Sequence, residues 1–356
     1  MNNLRKFDTK TDYNTALGNG EIVAPNVSYV VDEGKCYYTK KPHTDFGQIC
    51  MYDKEEDRKF FISPESYATD YWMILKYVPI GVVVVPTKYT PDGSTRIMSL
   101  VNMSCKTPET GSYAATATQG DNAMYWGGNG TDIPGLKNIT QVNRVDPTTG
   151  KFASVSSWTM RIPSECSGMS GLTDPISGYK YWSTDTNEGA FGPYPILANG
   201  EKAPLYYASG MATNDFNGKE NTDAIIAAAT DTSWKTASTI TNSYDAGNYP
   251  PAFCCRRFKT AGTNAGDWYL PAEGELAFYS AKYDTITNTL NTISTLRSTI
   301  AVKMVRGNAS YGDWLWSSSE NSSRGAWTVY LSTGDVAPTP KSYVNDCLRV
   351  RSFLSI

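Results

Sequence analysis

The chain has 356 residues, enough to bury a sizeable core as one large domain with a small one, or as two of similar size. Charged side chains make up 19% and the formal net charge is -3, so the basic footprint that phosphate-backbone binding requires is missing and nucleic acid is not an expected partner. The 29 Gly, 24 Tyr and 9 Trp instead describe a turn-rich protein with many amphipathic aromatics, the composition of a binding surface.

The opening MNNLRKFDTKTDYNTALGNGEI has no apolar signal core, and no later run approaches the apolar length of a membrane span. Synthesis in a cytoplasm without a signal peptide, and no membrane insertion, are therefore expected. Thr9 or Thr11 can cap a short helix through Ala16 and Leu17, stopped by Gly18 and Gly20. VSYVVDEGKCYYTK then alternates on both sides of Asp32-Glu33-Gly34-Lys35 and reads as a hairpin. The charge run DKEEDRK, Asp53 to Lys59, reads as a solvated linker or helix face, and a boundary placed there gives a small module over 1–58 and a large domain over 59–356.

In the large domain, Ser63-Pro64-Glu65 is a helix start and GVVVVP, from Gly81, is a buried strand. The stretch from Lys106 to Ala212 is Gly/Pro/Asn-rich and weakly periodic, which calls for a fold that tolerates long loops. Thr222-Asp223 opens a helix to about Trp234. The clearest helix spans Ala272 to Ile300, with Leu276, Tyr279, Tyr283, Ile286, Leu290, Ile293, Leu296 and Ile300 at three- and four-residue steps. Beyond Lys303 the period becomes two: in AWTVYLSTGDV, Trp327, Val329 and Leu331 face one way and Thr328, Tyr330 and Ser332 the other, before a turn at Thr333-Gly334. CLRVRSFLSI closes the chain as a strand.

Chemistry is sparse. The single histidine, His43, rules out Ser-His-Asp and Cys-His catalysis and histidine metal sites in the large domain. The seven cysteines are odd in number and scattered, with neither a disulfide framework nor a CxxC pair. Vicinal Cys254-Cys255 beside Arg256-Arg257 could be a thiol activated by cations, but PAFCCRRF reads better as a strand with one cysteine buried. DFNGKENTD, from Asp215 to Asp223, carries oxygen side chains spaced as in part of a calcium loop. It lacks the third-position carboxylate and the distal Glu, so a turn is the stronger reading and no metal or cofactor is expected. Glu273 and Glu275 sit at a helix start, where their charge complements the dipole.

DWYLPAEGEL followed in order by LWSSSE, AW, V, L, G, V, K and VRSF, together with GVVVVPTKYTPDGSTRIMSLVNMS, MYWGGNGTD, SWKTASTITN and CCRRFKTAGTNAGDWYLPA, resembles the variable proteins of diversity-generating retroelements of gut Bacteroidales and their phages. KFDTKTDYNTALGNGEIVAPNVSYVVDE resembles their leading module. The resemblance implies an α+β, C-type-lectin-like fold, a twisted antiparallel sheet with two helices and long loops. It also implies that a segment at about 308–350 is rewritten by adenine-directed mutagenesis on a fixed framework. Framework positions would be Trp316 to Glu320, Ala326, Trp327, Val329, Leu331, Gly334, Val336, Lys341, Val350, Arg351 and Phe353. The ligand-facing, variable positions would be Asn321, Ser323, Arg324, Gly325, Thr328, Tyr330, Ser332, Asp335, Ala337, Pro338, Thr339, Pro340, Ser342, Tyr343, Asn345, Asp346 and Leu348, with Tyr311, Asp313 and Trp314 upstream. Strand alternation agrees for Thr328, Tyr330 and Ser332.

Function follows as non-enzymatic binding of a protein or glycan on a cell surface, on a virion tail or through a non-classical display route, with a homo-oligomer compatible. The alternatives are an enzyme of the formylglycine-generating type and a structural tail or surface component. The Glu-Pro-Asn and Trp-Asn-Asp signatures of calcium-dependent sugar-binding lectins are missing, since Asn345-Asp346 follows Val344.

Overall fold

A computed structural model describes residues 5–7, 11, 26–30, 35–39, 44–87, 90, 92–112, 123–136, 138, 180–181, 195–196, 215–297, 314–331, 335–344 and 348–356. The chain divides into two compact units, Met1–Thr44 and Asp45–Ile356. In the first, β1 (Arg5–Phe7), β2 (Asn26–Val30) and β3 (Lys35–Thr39) form a three-stranded sheet. β2 and β3 pair antiparallel from Asn26 opposite Thr39 to Val30 opposite Lys35, the hairpin expected from the alternation. The short helix at Ala16 and Leu17 lies outside the described residues.

The second unit begins earlier than the sequence suggests. β4 (Ile49–Asp53) and β5 (Arg58–Ile62) pair with each other and join its sheet, so DKEEDRK is a hairpin turn rather than a linker. Asp53 is 1% exposed and its carboxylate accepts from the backbone N–H groups of Glu55 and Glu56, which tightens that turn. Asp57, at φ 45, occupies the left-handed region that completes it.

β6 (Val78–Val85), β7 (Arg96–Asn102) and β13 (Arg351–Ser355) complete an antiparallel five-stranded sheet of order β13-β7-β6-β4-β5. GVVVV is continuous in apolar residues because both faces of the sheet are buried: Val82 and Val84 enter one core and Val83 the other. Before β6, Ser63 caps α1 (Pro64–Thr69), and Asp70 caps α2 (Tyr71–Lys76) through the N–H groups of Trp72 and Met73. β8 (Lys180–Tyr181) and β9 (Pro195–Ile196) make a small antiparallel pair.

Three helical expectations are corrected. α3 (Gly218–Ala228) starts four residues before Thr222, whose hydroxyl instead donates to Gly218 O at 2.7 Å and accepts from Leu270 N at 3.0 Å, while Trp234 sits in a separate 3-10 turn, Ser233–Lys235. PAFCCRR is a helix, α4 (Pro250–Arg257), not a strand: two prolines open it where their missing N–H groups cost nothing, and two arginines close it. The long amphipathic run is two helices, α5 (Glu273–Ala281) and α6 (Tyr283–Leu296), broken at Lys282. Leu276, Tyr279, Ile286, Leu290 and Ile293 are fully buried as the periodicity requires, whereas Leu296 at the helix end is 39% exposed.

A second antiparallel sheet consists of β10 (Trp314–Ser322), β11 (Gly325–Tyr330) and β12 (Asp335–Pro340). Leu315, Trp327, Val329 and Leu331 share a core with α5 and α6, while Trp316 and Ala326 enter the core that holds Trp126, Tyr249, Phe253 and Trp268. The architecture is α+β.

Candidate functional site

The C-terminal sheet is anchored through its serines. α5 begins after Ala272, a residue with no side-chain acceptor, so its first N–H groups must find partners elsewhere. Ser319 supplies one, accepting from Glu273 N at 2.9 Å, and the carbonyl of Asp215 accepts from Gly274 N at 3.0 Å. Ser319 Oγ in turn donates to Asp215 Oδ2 at 2.6 Å, and Asn221 Nδ2 donates to the same oxygen at 2.8 Å. Ser317 Oγ donates to Trp327 O at 2.8 Å, and Ser318 N to Pro271 O at 2.7 Å. The SSS run is thus a buried adaptor that joins LPAEGEL to the strand pair, with hydroxyls small enough to let β10 lie against the helix start.

The next residue, Glu320, forms a buried ion pair with Lys341; the two are 1% and 0% exposed. Lys341 Nζ also donates to Thr131 O at 2.8 Å and lies 4.7 Å from the centre of the Trp126 ring. Glu320 Oε2 accepts from Ile133 N at 3.3 Å. Burial pushes the Glu320 carboxyl up and the Lys341 amine down, each opposed by the partner's charge. Trp126 Nε1 donates to Ser317 O at 2.8 Å and Trp316 Nε1 to Met124 O at 2.7 Å, so the loop carrying MYWGGNGTD is stitched to β10 by two indoles. Gly127, at φ 94, brings this loop so close to the 248–249 backbone that a Cβ would stand 1.9 Å from Asn248 O.

The described framework positions, Trp316 to Glu320, Ala326, Trp327, Val329, Leu331, Lys341, Val350, Arg351 and Phe353, are all buried. Arg324 and Pro340 are exposed, Tyr343 is 47% exposed, and Asn321, Ser323, Tyr330, Ala337, Pro338, Thr339 and Ser342 are half-buried. Trp314 is half-buried and stacks on Tyr330 across the strand pair, with ring centres 5.2 Å apart. Three positions expected to face ligand do not. Thr328 is fully buried, its hydroxyl donating to Ala337 O at 3.0 Å beside Thr339 Oγ1 at 2.8 Å: it sits in the middle strand, paired with Trp316 on β10 and Ala337 on β12, on the face that Trp316 and Ala326 carry into the second core. Gly325 is buried at the start of β11, and Leu348 belongs to the core. Tyr311, Asp313, Ser332, Asn345 and Asp346 lie outside the described residues, and Asp335 is placed only by its backbone pairing with Tyr330.

Tyr125 and Tyr244, which the sequence reading did not single out, form an edge-to-face pair with ring centres 5.1 Å apart, and Tyr244 is 44% exposed. Asn129 N donates to Tyr244 O and Gly130 N to Ser323 O, so this pair neighbours the Ser323-Arg324 turn. Nothing local in the sequence marks the link, which spans nearly two hundred residues.

Cys254 and Cys255 are fully buried; burial raises Cys254 well above the usual thiol range and Cys255 to about 12. Neither is a ready nucleophile. Among the described residues no group of three or more His, Cys, Asp or Glu side chains is placed to hold a metal ion, and no helix is long and apolar enough to cross a membrane. Asp215, the first residue of the calcium-loop-like stretch, is occupied by hydrogen bonds from Asn217 N, Asn221 and Ser319.

No family model and no curated protein matches the chain. Among solved structures, it is similar to a fimbrial protein from Bacteroides ovatus ATCC 8483, with 14% sequence identity and a TM-score of 0.28, over 93% of this chain and 61% of that protein. The chain therefore spans less than two thirds of that protein's length.

Proposed function

We propose that this protein is a non-enzymatic binding protein that displays an exchangeable surface on a C-type-lectin-like scaffold, as the variable proteins of diversity-generating retroelements do. The carrying observation is the segregation of residues within one short segment: Trp316 to Glu320, Trp327, Val329, Leu331 and Lys341 are buried, while Arg324, Pro340 and Tyr343 are exposed. Tyr and Arg among small residues give contact area at low ordering cost, and multivalent display would raise modest single-site affinity. The ligand is a protein or glycan on a cell surface, engaged by this protein carried on a virion tail or displayed by a non-classical route. The deep burial of Cys254 and Cys255 disfavours the formylglycine-generating alternative.

The test is a pair of displayed libraries. Randomising Asn321, Ser323, Arg324, Tyr330, Thr339, Ser342 and Tyr343 should yield folded members that bind unrelated protein targets with the parent's melting temperature. Randomising Trp316, Ser319, Ala326, Trp327 and Lys341 should yield few folded members. Equal losses of folding in the two libraries would overturn the reading. A near-copy of the codons for Trp316 to Phe353, differing at adenines and lying beside a reverse transcriptase gene, would support it independently.

A further inference from the structure

β6 and β7 pair from Val85 opposite Arg96 only as far as Gly81 opposite Ser99. Beyond that point β6 stays with β4, Pro79 opposite Met51 and Val78 opposite Tyr52, whereas β7 stays with β13, Asn102 opposite Arg351. No register pair links Val78–Ile80 to Leu100–Val101, and Pro79 has no N–H to offer a ladder there. A cavity of about 350 Å³ opens beside the parted strands, within the size range of small-molecule sites.

Its walls are apolar, with Val78, Ile80, Leu100, Val101 and Phe258 contributing. Polar groups come from one side only: Thr110, Lys259 and Thr260. The charge there is uneven. Glu109 is shared by two cations, Arg257 Nη2 at 3.0 Å and Lys259 Nζ at 3.2 Å. The Arg257 side chain is 11% exposed and is also held by Trp234 O at 2.8 Å, so it alone can satisfy Glu109. Lys259 is 51% exposed and is the surplus positive charge, on a stem long enough to turn toward the cavity. An exposed ion pair of this kind holds its lysine weakly.

We propose that this cavity binds a small amphipathic carboxylate, its apolar body between the parted strands and its anionic head on Lys259. An apolar pocket with a single cation and two hydroxyls at its edge selects a monoanion with a short hydrocarbon or aryl body over a sugar or a polyanion.

Sodium octanoate below its micellar range is the probe, with octanamide as the neutral control. Methyl NMR spectra of the full chain should show saturable shifts confined to Val78, Ile80, Leu100 and Val101 and their neighbours. Lys259→Met, a change at an exposed site, should weaken octanoate about fivefold, the upper worth of an exposed ion pair, and leave octanamide unaffected. Thr110→Trp, also at an exposed position, should fill the mouth and abolish the shifts. Absence of saturable shifts in the wild-type chain, shifts elsewhere, or equal affinity for octanamide would each overturn the proposal. Should Thr110→Trp fail to fold, the wild-type spectra and Lys259→Met still decide it.

Discussion

Replacing Lys341 by Met tests whether the buried ion pair under the candidate surface is structural. The Lys341 amine holds three contacts: the Glu320 carboxylate, Thr131 O and the face of Trp126. Methionine fills the same volume and keeps the contact with the ring, so the loss isolates the charge. It leaves Glu320, 1% exposed, with Ile133 N as its remaining hydrogen-bond donor in this cluster. Removing one partner of a buried pair costs about 3–5 kcal/mol. At roughly 2–4 °C per kcal/mol for a domain of this class, melting should fall by about 6–20 °C. Burial already pushes Glu320 upward, so without Lys341 the carboxyl takes a proton more readily. A raised folded pKa contributes stability that is present at low pH and lost as pH rises, and the deficit of Lys341→Met should therefore be smaller at pH 5 than at pH 8. Adding Glu320→Gln removes the stranded charge, and the double variant should recover on the order of 2 kcal/mol relative to additivity. Urea unfolding of the four proteins at both pH values measures this cycle. A loss below about 1 kcal/mol in Lys341→Met, or strict additivity, would refute the argument.

Glu273 is fully buried and both its carboxylate oxygens lack a hydrogen-bond partner among the described residues; burial, with Asp215 nearby, lifts it to about 8. Its folded pKa lies above its unfolded one, so the wild-type protein should lose stability as pH rises from about 4.5 to about 8; Glu273→Gln, a mimic of the protonated form, should flatten that slope and be the more stable by a few kcal/mol at pH 8, as read by pH-dependent urea melts. Gly127→Ala places a methyl 1.9 Å from Asn248 O at φ 94 and should cost about 3 kcal/mol or more, measured by the same melts, whereas Gly130→Ala, with nothing within 4 Å, should cost only the backbone strain of about 1–3 kcal/mol. Thr328→Arg, a substitution that an exposed variable position would accept, should unfold or strongly destabilise the chain because that side chain is fully buried in the middle strand between Trp316 and Ala337, a result visible in circular dichroism melts.

Local periodicity made parts of this fold legible. NVSYV and KCYYT alternate and pair; Ser63-Pro64 opens a helix; Trp327, Val329 and Leu331 share one core. The misreadings have long-range causes. Asp53 reads as one charge in a linker, yet it is buried inside a hairpin whose strands belong to the main sheet. Two prolines before Cys254-Cys255 can start a helix or border an edge strand, and packing against β13 and the Trp234 turn selects the helix. The period-two pattern of β11 separates Thr328 from Trp327 and Val329, but it reads the second face as solvent-facing, and no local signal says that Trp316 and Ala326 carry that face into a second core. The burial of Trp316 to Glu320, Trp327 and Lys341 agrees with the expectation drawn from resemblance; the partners Asp215, Asn221, Trp126 and Glu273 were not legible, because each reaches β10 from a distant part of the chain.

The serine run explains how a surface could change without loss of the fold beneath it. Its bonds run to Trp327 O, Asp215 Oδ2, Glu273 N and Asn221 Nδ2, and none of them uses the side chain of Ser323, Arg324, Tyr330, Pro340 or Tyr343. Four of these residues join the frame through backbone atoms: Ser323 O accepts from Gly130 N, Arg324 O from Lys341 N, and Pro340 O from Tyr343 N. A side-chain replacement at these sites leaves such bonds intact, so Arg324→Ala should change stability by about 0.5 kcal/mol or less. Ser319→Ala is the opposite case. It strands Glu273 N at a helix start, at about 1–3 kcal/mol, and removes one of the three donors to Asp215, a bond to a charged group worth about 1.5–3 kcal/mol. Urea melts of the two variants should therefore differ by at least about 2 kcal/mol. Equal stabilities would mean that the hydroxyl bonds do not carry the anchor, and the separation of frame from surface would then rest on hydrophobic packing alone.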